Sequence, residues 1–319
     1  MGNVKYIIYG AGKQGRTFLE FLKQKELDTC IIGFCDKRYD MIEKVSDKQV
    51  FCYDEAKKYR ARFIVAVGDE EVGKKIIKML EEDGQEYCSI DEFAKSANMS
   101  RVEFNREFCA LFHVDNMDEY FESAEEEGSL GIFWNDASEF KKMFLNLDLH
   151  NVIELACGRG RHVPKYLSNA GHITLVDILS KNIEFCKNRF HDQKNITYYQ
   201  NNGYNLRGLE SGRYTALFSY DAMVHFEMLD INEYLIDIYR VLAPGGRVLL
   251  HHSNNDGNYK ASFNNMKHGR SFMSKNVFAY LAYRAGFAIV DQKVIDWEGY
   301  REVDCITLLQ KPLDRSMDD

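Results

Sequence analysis

The sequence predicts an α/β protein built from two doubly wound sheets in series, the second mostly parallel, seven-stranded and ending in an antiparallel hairpin. Three observations carry that prediction. Short apolar runs end in glycine-rich turns at two places, 4–15 and 151–160, and each turn opens a helical pattern. Strand and helix patterns then alternate along both halves. Near the carboxy terminus two strand patterns, 287–295 and 303–310, are joined only by the stretch 296–302, which is too short for a parallel crossover.

The elements follow in order. VKYIIY (4–9) is an apolar run ending in glycine, as a buried parallel strand requires. A helix over 14–24 places Phe18, Leu19 and Leu22 on one face. CIIGFC (30–35) and FIVAV (63–67) read as strands, and Glu70–Asp83 as a helix. This alternation defines a first domain over 1–98. Residues 99–131 are acidic and rich in Phe, Met and Tyr; they predict a helical connector with a mobile Gly/Ser turn near 128–131. Its acidic run reads as a solvated helix face. A helix over 136–147 opens the second domain, 132–319, with strands near 151–156, 173–177, 196–200, 214–219 and 247–252 and a helix at 274–285.

Composition bounds the function. The chain has 319 residues, 45% hydrophobic and 28% charged, as in folded globular proteins. With 49 acidic against 41 basic side chains, the net charge of −8 argues against a nucleic-acid footprint, although a local basic groove stays open. The eight cysteines are scattered, without a Cys-x-x-Cys pair or a His/Cys cluster. Reduced thiols, no disulfide framework and no metal site are therefore expected. No apolar run approaches the ~20 residues that span a bilayer. The amino terminus already reads as a strand, and Tyr6 stands where a myristoylation motif has Ser or Thr. A cytoplasmic location without a membrane partner is expected.

The first turn, GAGKQG (10–15), follows a strand, opens a helix and is followed by Asp36 at the tip of the next strand. That is the context of a dinucleotide fingerprint, so Gly10, Gly12, Gly15 and Asp36 form a candidate nucleotide site. The domain is short and no catalytic set follows the turn. It resembles the small Rossmann-like domains fused to bacterial enzymes of surface-polysaccharide and sugar modification. That resemblance implies a nucleotide-sugar ligand; NAD(P) and a scaffold or interaction role stay open.

The second half carries five signals in order: VIELACGRG (152–160), Asp177, QNNG (200–203), LFSYDAMVHF (217–226) and RVLAPGGRVLL (240–250). With these, residues 149–311 resemble a class I S-adenosylmethionine-dependent methyltransferase, giving two Rossmann-like domains in one chain. The resemblance implies a set of roles. Glu154 faces the cofactor's ammonium, and the turn at Ala156, Gly158 and Gly160 passes beneath its methionine and ribose parts. Asp177, with Ile178 beside it, accepts the ribose hydroxyls, and Asn202 with Gly203 reads the adenine. Ser219 and Asp221 line the methyl-transfer cleft; apart from the resemblance, Trp134 and Arg161 are candidates to close the cofactor pocket, with a packing role equally open for Trp134. Ala156 departs from the family pattern, which often has glycine there, and makes the turn slightly less open.

Transfer to a hydroxyl also needs a group to take the proton. His225 is the candidate general base, because imidazole titrates near neutral pH; a packing role is the alternative. His251 and His252 are adjacent on a strand and point to opposite faces, so at most one lines the cleft, and His252 is the candidate substrate contact. The polar insertion 253–270 adds Asn254 for a hydroxyl-rich acceptor and Lys267, His268 and Arg270 for a phosphate. The expected activity is methyl transfer to a hydroxyl of a sugar or nucleotide-sugar, a polysaccharide precursor. An NAD(P)-dependent oxidoreductase and a non-catalytic S-adenosylmethionine-binding regulator are the alternatives, and a homo-oligomer is compatible with either.

Overall fold

The computed structural model describes residues 4–100, 104, 106–108, 111–112, 118–261, 266 and 268–313. The chain separates into two compact units, Met1–Asn116 and Met117–Asp319.

In the first unit, β1 (Tyr6–Tyr9), β2 (Ile31–Cys35) and β5 (Arg62–Val65) pair in parallel with β1 in the middle. Three strands that the sequence did not announce extend the sheet: β3 (Lys44–Val45), β4 (Lys48–Phe51) and β6 (Tyr87–Ser89). The order is β3-β4-β2-β1-β5-β6, all parallel except the β3–β4 hairpin. Helices α1 (Lys13–Gln24), α2 (Tyr53–Ala56), α3 (Glu70–Glu82) and α4 (Ile90–Ser96) complete it. α1 buries Phe18, Leu19, Phe21 and Leu22, the apolar face its spacing dictates. α4 starts with a capping box in which Ser89 and Glu92 satisfy each other's backbone N–H. The start of the acidic segment is packing surface: Phe104 and Phe108 lie edge-on to Phe21, at 5.3 and 6.0 Å.

The second unit begins with α5 (Asp118–Ser123), α6 (Glu127–Trp134) and α7 (Glu139–Phe144). α6 corrects the expected turn: Gly128 and Gly131 sit inside a helix whose Phe133 is buried, so packing overrides glycine's low helix propensity. The seven strands are β7 (Asn151–Leu155), β8 (His172–Asp177), β9 (Ile196–Gln200), β10 (Tyr214–Ser219), β11 (Leu242–Ser253), β12 (Ala288–Trp297) and β13 (Tyr300–Gln310). Their order is β12-β13-β11-β10-β7-β8-β9, with β13 antiparallel to both neighbours and the other pairings parallel. The expected antiparallel finish is therefore present, with β13 inserted between β11 and β12.

Alternation along β7 sends Val152 into one core layer, with Phe144, Tyr166 and Phe218, and Ile153 into the other, with Leu217, Ile231 and Leu235. The remaining helices are α8 (Val163–Tyr166), α9 (Ser180–Arg189), α10 (Met228–Val241) and α11 (Lys275–Arg284). Within β11 the segment APGG bulges out: Tyr214 lies opposite Leu242 and Ala216 opposite Arg247. Gly245, at φ +81°, supplies the left-handed residue of that bulge. From β7 the strand order runs one way to β8 and β9 and the other way to β10 and β11. The carboxyl ends of β7 and β10 therefore flank a topological switch point, where open α/β sheets bind ligands. Among the described residues no helix is long and apolar enough to cross a membrane, and no His/Cys/Asp/Glu group is arranged to hold a metal ion.

Candidate functional site

At the end of β7 the chain turns through three left-handed residues, Ala156 (φ 57°), Gly158 (φ 54°) and Gly160 (φ 74°). Asp177, at the tip of β8, stitches this turn down. Its Oδ2 accepts the Gly158 N–H at 2.8 Å, and its Oδ1 accepts Leu179 N–H at 2.9 Å and Asn182 Nδ2 at 3.1 Å. Burial outweighs those donors and pushes the carboxyl up to about 6.

Glu154 is buried on β7. Tyr166 donates its hydroxyl to Oε2 at 2.7 Å, but Oε1 is buried without a hydrogen-bond partner among the described residues. Burial pushes this carboxyl up to about 7. A buried carboxylate with one oxygen unsatisfied is costly by itself and is stabilised by a cation placed against it. Ser219 Oγ, at the end of β10, is buried and unpartnered in the same way.

The turn is covered by α5, which the sequence reading did not single out. Tyr120 donates its hydroxyl to Asp221 Oδ2 at 2.7 Å, and Arg161 Nη2 reaches the same oxygen at 3.0 Å. A Cβ on Gly158 would lie 2.8 Å from Phe121 Cε1, so that ring rests on the face the glycine leaves open. Arg189, on α9, donates to Glu125 at 2.6 Å and to the Arg159 carbonyl at 2.9 Å. The acidic, aromatic run is thus a cover whose partners are the basic residues around Gly158. Their opposite charges were the one signal in the sequence that could have paired them.

Arg161, expected to help close the cofactor pocket, is thus bonded to Asp221. Trp134 has the contacts of a packing residue, the alternative left open for it: its indole N–H donates to His162 Nδ1 at 3.1 Å and its ring packs edge-on to Phe140 and Phe144, at 5.3 and 5.0 Å. Ile178 is half-buried and its carbonyl accepts Gln200 Nε2 at 3.1 Å. Asn202 is exposed, and its Oδ1 closes the turn by accepting the N–H groups of Tyr204 and Asn205 at 3.2 and 3.1 Å. Gly203, at φ +90°, makes that turn possible.

On the acceptor side, His225 Nδ1 lies 2.6 Å from the Gly269 carbonyl. A carbonyl only accepts, so Nδ1 carries the proton and Nε2 is the basic nitrogen. Burial lowers the pKa of His225, against the opposing hydrogen bond to Gly269, and keeps the ring neutral. Ser271 Oγ donates to the His225 carbonyl at 2.8 Å, so the polar insertion folds back onto this segment.

Three substrate contacts expected from the sequence are corrected. His252 is fully buried, stacks on Phe278 at 3.7 Å and bonds Thr307 Oγ1 at 2.9 Å, which makes it a core residue. Asn254 is occupied in joining elements: Nδ2 donates to the Glu302 carbonyl at 2.8 Å, and Oδ1 accepts Lys275 N–H at 2.8 Å, at the start of α11. Arg270 is 5% exposed and spends its guanidinium on Asp304, at 2.9 and 2.7 Å. Lys267 lies outside the described residues. His268 packs edge-on to Tyr300 at 5.1 Å.

In the first unit, Asp36 Oδ2 accepts the Ala11 N–H at 2.7 Å and Oδ1 accepts Arg38 N–H and Nε at 2.9 and 3.1 Å. Burial opposes its charge, but the bonds from Arg38 and Ala11 hold its carboxyl below the usual range. A Cβ on Gly10 would meet Ala66 O at 2.6 Å, and one on Gly15 would meet Gly10 O at 1.9 Å. Gly12 is the open one, with Arg38 Nη2 at 3.8 Å as the nearest neighbour.

Residues 152–246 match the family model described as a methyltransferase domain. No curated protein matches the chain. Among solved structures, an S-adenosylmethionine-dependent methyltransferase from Mesorhizobium loti is 15% identical, over 55% of this chain and 99% of that one, with a TM-score of 0.45. One from Methanosarcina mazei is 13% identical, over 54% and 98%, with a TM-score of 0.45. The 4+2 cyclase SpnF is 11% identical, over 53% and 77%, with a TM-score of 0.45. The stretch that matches the methyltransferase-domain model lies in the second unit, running from β7 to the bulge in β11.

Proposed function

We propose that the second unit binds S-adenosylmethionine over the Ala156–Gly160 turn and transfers its methyl group to a hydroxyl of a sugar or nucleotide-sugar in the cytoplasm. The observation that carries this reading is Glu154 Oε1, a buried carboxylate oxygen without a partner among the described residues, on the strand that leads into the turn. The bound cofactor would supply an electrophilic methyl and a cationic amino group. Glu154 would hold the ammonium, and Gly158 and Gly160 would let the backbone approach closely. Asp177 would accept the ribose hydroxyls by exchanging part of its present hydrogen bonding, and Asn202 would face the adenine edge. His225 Nε2 would take the hydroxyl proton, because Gly269 holds the other ring nitrogen as the donor. Asp221 with Tyr120 and Arg161 would close the cleft against water.

The first unit fits a nucleotide or nucleotide-sugar at Gly10, Gly12, Gly15 and Asp36. Gly12, with space around it, caps α1, where backbone N–H groups favour a phosphate, and Arg38 lies beside it.

Calorimetry with S-adenosylhomocysteine tests the cofactor assignment, and transfer of labelled methyl to a panel of sugars and nucleotide-sugars tests the acceptor. Binding by the wild type and its loss by at least about tenfold in Glu154→Gln is expected. No binding to the intact chain would end the reading.

A further inference from the structure

Asp221 has a conformation that calls for an explanation. It follows β10 directly and sits at φ 54°, a left-handed backbone that costs a non-glycine residue on the order of 1 kcal/mol. Its carboxylate is the anchor for both Tyr120 and Arg161. Its N–H donates to His251 Nδ1 at 3.1 Å. That bond makes Nδ1 the acceptor nitrogen, so the imidazole proton sits on Nε2, which faces Asp304 Oδ2 at 3.1 Å. Asp304 is fully buried and is neutralised by the two bonds from Arg270. The His251 ring is itself fully buried, stacked on Tyr220 at 4.5 Å and 26°. Trp297 packs beside them, 5.1 Å from His251 and 5.3 Å from the Arg270 guanidinium.

We propose that His251, oriented by the buried Asp304–Arg270 pair, is a positioning residue: by accepting the Asp221 N–H it holds the turn after β10 in the left-handed form that presents the Asp221 carboxylate to Tyr120 and Arg161. Each link fixes the next. The Arg270 fork fixes the Asp304 carboxylate, Asp304 selects the His251 tautomer, and that tautomer leaves Nδ1 able to accept. His251 acts through Asp221 and touches no reacting atom. The inference depends on the methyltransferase reading only for what the turn serves, namely closing the cofactor and acceptor cleft.

The test compares two substitutions that both remove the imidazole. His251→Phe keeps a flat ring against Tyr220 and Trp297 but offers no acceptor, whereas His251→Asn loses the ring but keeps an oxygen acceptor at the δ position. Hydrogen exchange of the Asp221 amide is followed by NMR on the full chain, together with S-adenosylhomocysteine affinity by calorimetry. In His251→Phe the Asp221 amide is expected to exchange at least about tenfold faster and affinity to fall about five- to tenfold, while His251→Asn stays within about threefold of wild type in both. Equal behaviour of the two variants in amide exchange, whether both unchanged or both impaired, overturns the assignment. If the wild type binds no S-adenosylhomocysteine the functional reading fails, and the amide exchange alone still decides the positioning role.

Discussion

The two glycine turns are built to the same plan and balanced differently. In each, a strand runs into a left-handed turn and a helix, and an aspartate from the next strand tip accepts a turn N–H: Asp36 takes Ala11 at 2.7 Å, and Asp177 takes Gly158 at 2.8 Å. At the first turn the charge is answered, since Arg38 bonds Asp36 and the carboxyl stays below its usual range. Its outer glycines are required by the backbone of the fold itself, with Ala66 O and Gly10 O where their Cβ atoms would be. At the second turn the hydrogen bonds to the two carboxylates come from neutral donors, and Glu154 Oε1 has no partner among the described residues. Glu154 and Asp177 are both pushed up, to about 7 and about 6, and the Cβ positions of Gly158 and Gly160 meet side-chain rings, Phe121 and Phe190, instead of backbone. A fold can keep a balanced turn for its own stability. The unpartnered oxygen of Glu154 has no such role in the fold, and it is on that oxygen that the proposed cofactor site rests.

The sharpest way to break this contrast is to fill the glycines. Gly15→Ala drives a Cβ into a backbone oxygen that cannot yield, and is expected to destabilise the first unit by about 3 kcal/mol or more, seen as loss of its melting transition. A small change there would mean that the turn is loose enough to owe its glycine to a ligand instead.

The pH dependence of the second unit comes next. Glu154 is raised in the folded state from 4.5 to about 7, so the folded protein holds a proton that the unfolded chain has released. That contribution to stability is fully present below pH 4.5 and is lost as pH rises through about 7. The loss is on the order of 3 kcal/mol, to which Asp177 adds in the same direction. Melting between pH 5 and 8 should show it, and Glu154→Gln should flatten most of the slope while weakening S-adenosylhomocysteine binding. Titrations in buffers of different ionisation enthalpy should show proton release on S-adenosylmethionine binding, because an ammonium beside Glu154 favours its charged form.

Gly158→Ala ranks third. The left-handed φ costs about 1–2 kcal/mol, and Phe121 must shift from 2.8 Å. Stability should therefore fall by less than in Gly15→Ala, while binding of S-adenosylhomocysteine falls by more than tenfold. A loss of stability without a loss of affinity would make the two turns equivalent.

How far this could be read from the sequence depends on range. The central strands were legible because buried parallel strands are continuous apolar runs, as in YIIY of β1 and NVIEL of β7. β4 was not, since Lys48 and Gln49 interrupt a four-residue strand, although the Ser89–Glu92 box before α4 was a readable signal passed over. In the site, roles fixed by local turns were legible and roles fixed by distant partners were not. Alternation said that His251 and His252 face apart, but only the placement of Asp304 and Thr307 on β13 says which faces Asp221. Arg270 looked like a phosphate ligand because its partner lies 34 residues away on another element. Tyr120 is 101 residues from Asp221, and no local pattern announces such a bond.

The smallest effect belongs to Ala156, the one of the second turn's three left-handed residues that is not glycine. It sits at φ 57°, where an alanine methyl crowds the following carbonyl, so Ala156→Gly removes strain of about 1 kcal/mol. Glycine also loses more backbone entropy on folding, about 0.4–1 kcal/mol, so the net gain is a few tenths at most. The affinity change decides what the alanine does. If the methyl only strains the turn, Ala156→Gly leaves S-adenosylhomocysteine affinity within about twofold. If the alanine stiffens a turn that must already be shaped for its ligand, the more flexible glycine variant binds more weakly although it is no less stable. The second outcome would add backbone stiffness to the differences between the turns, because the first turn has glycine at the corresponding left-handed position, Gly10 at φ 115°.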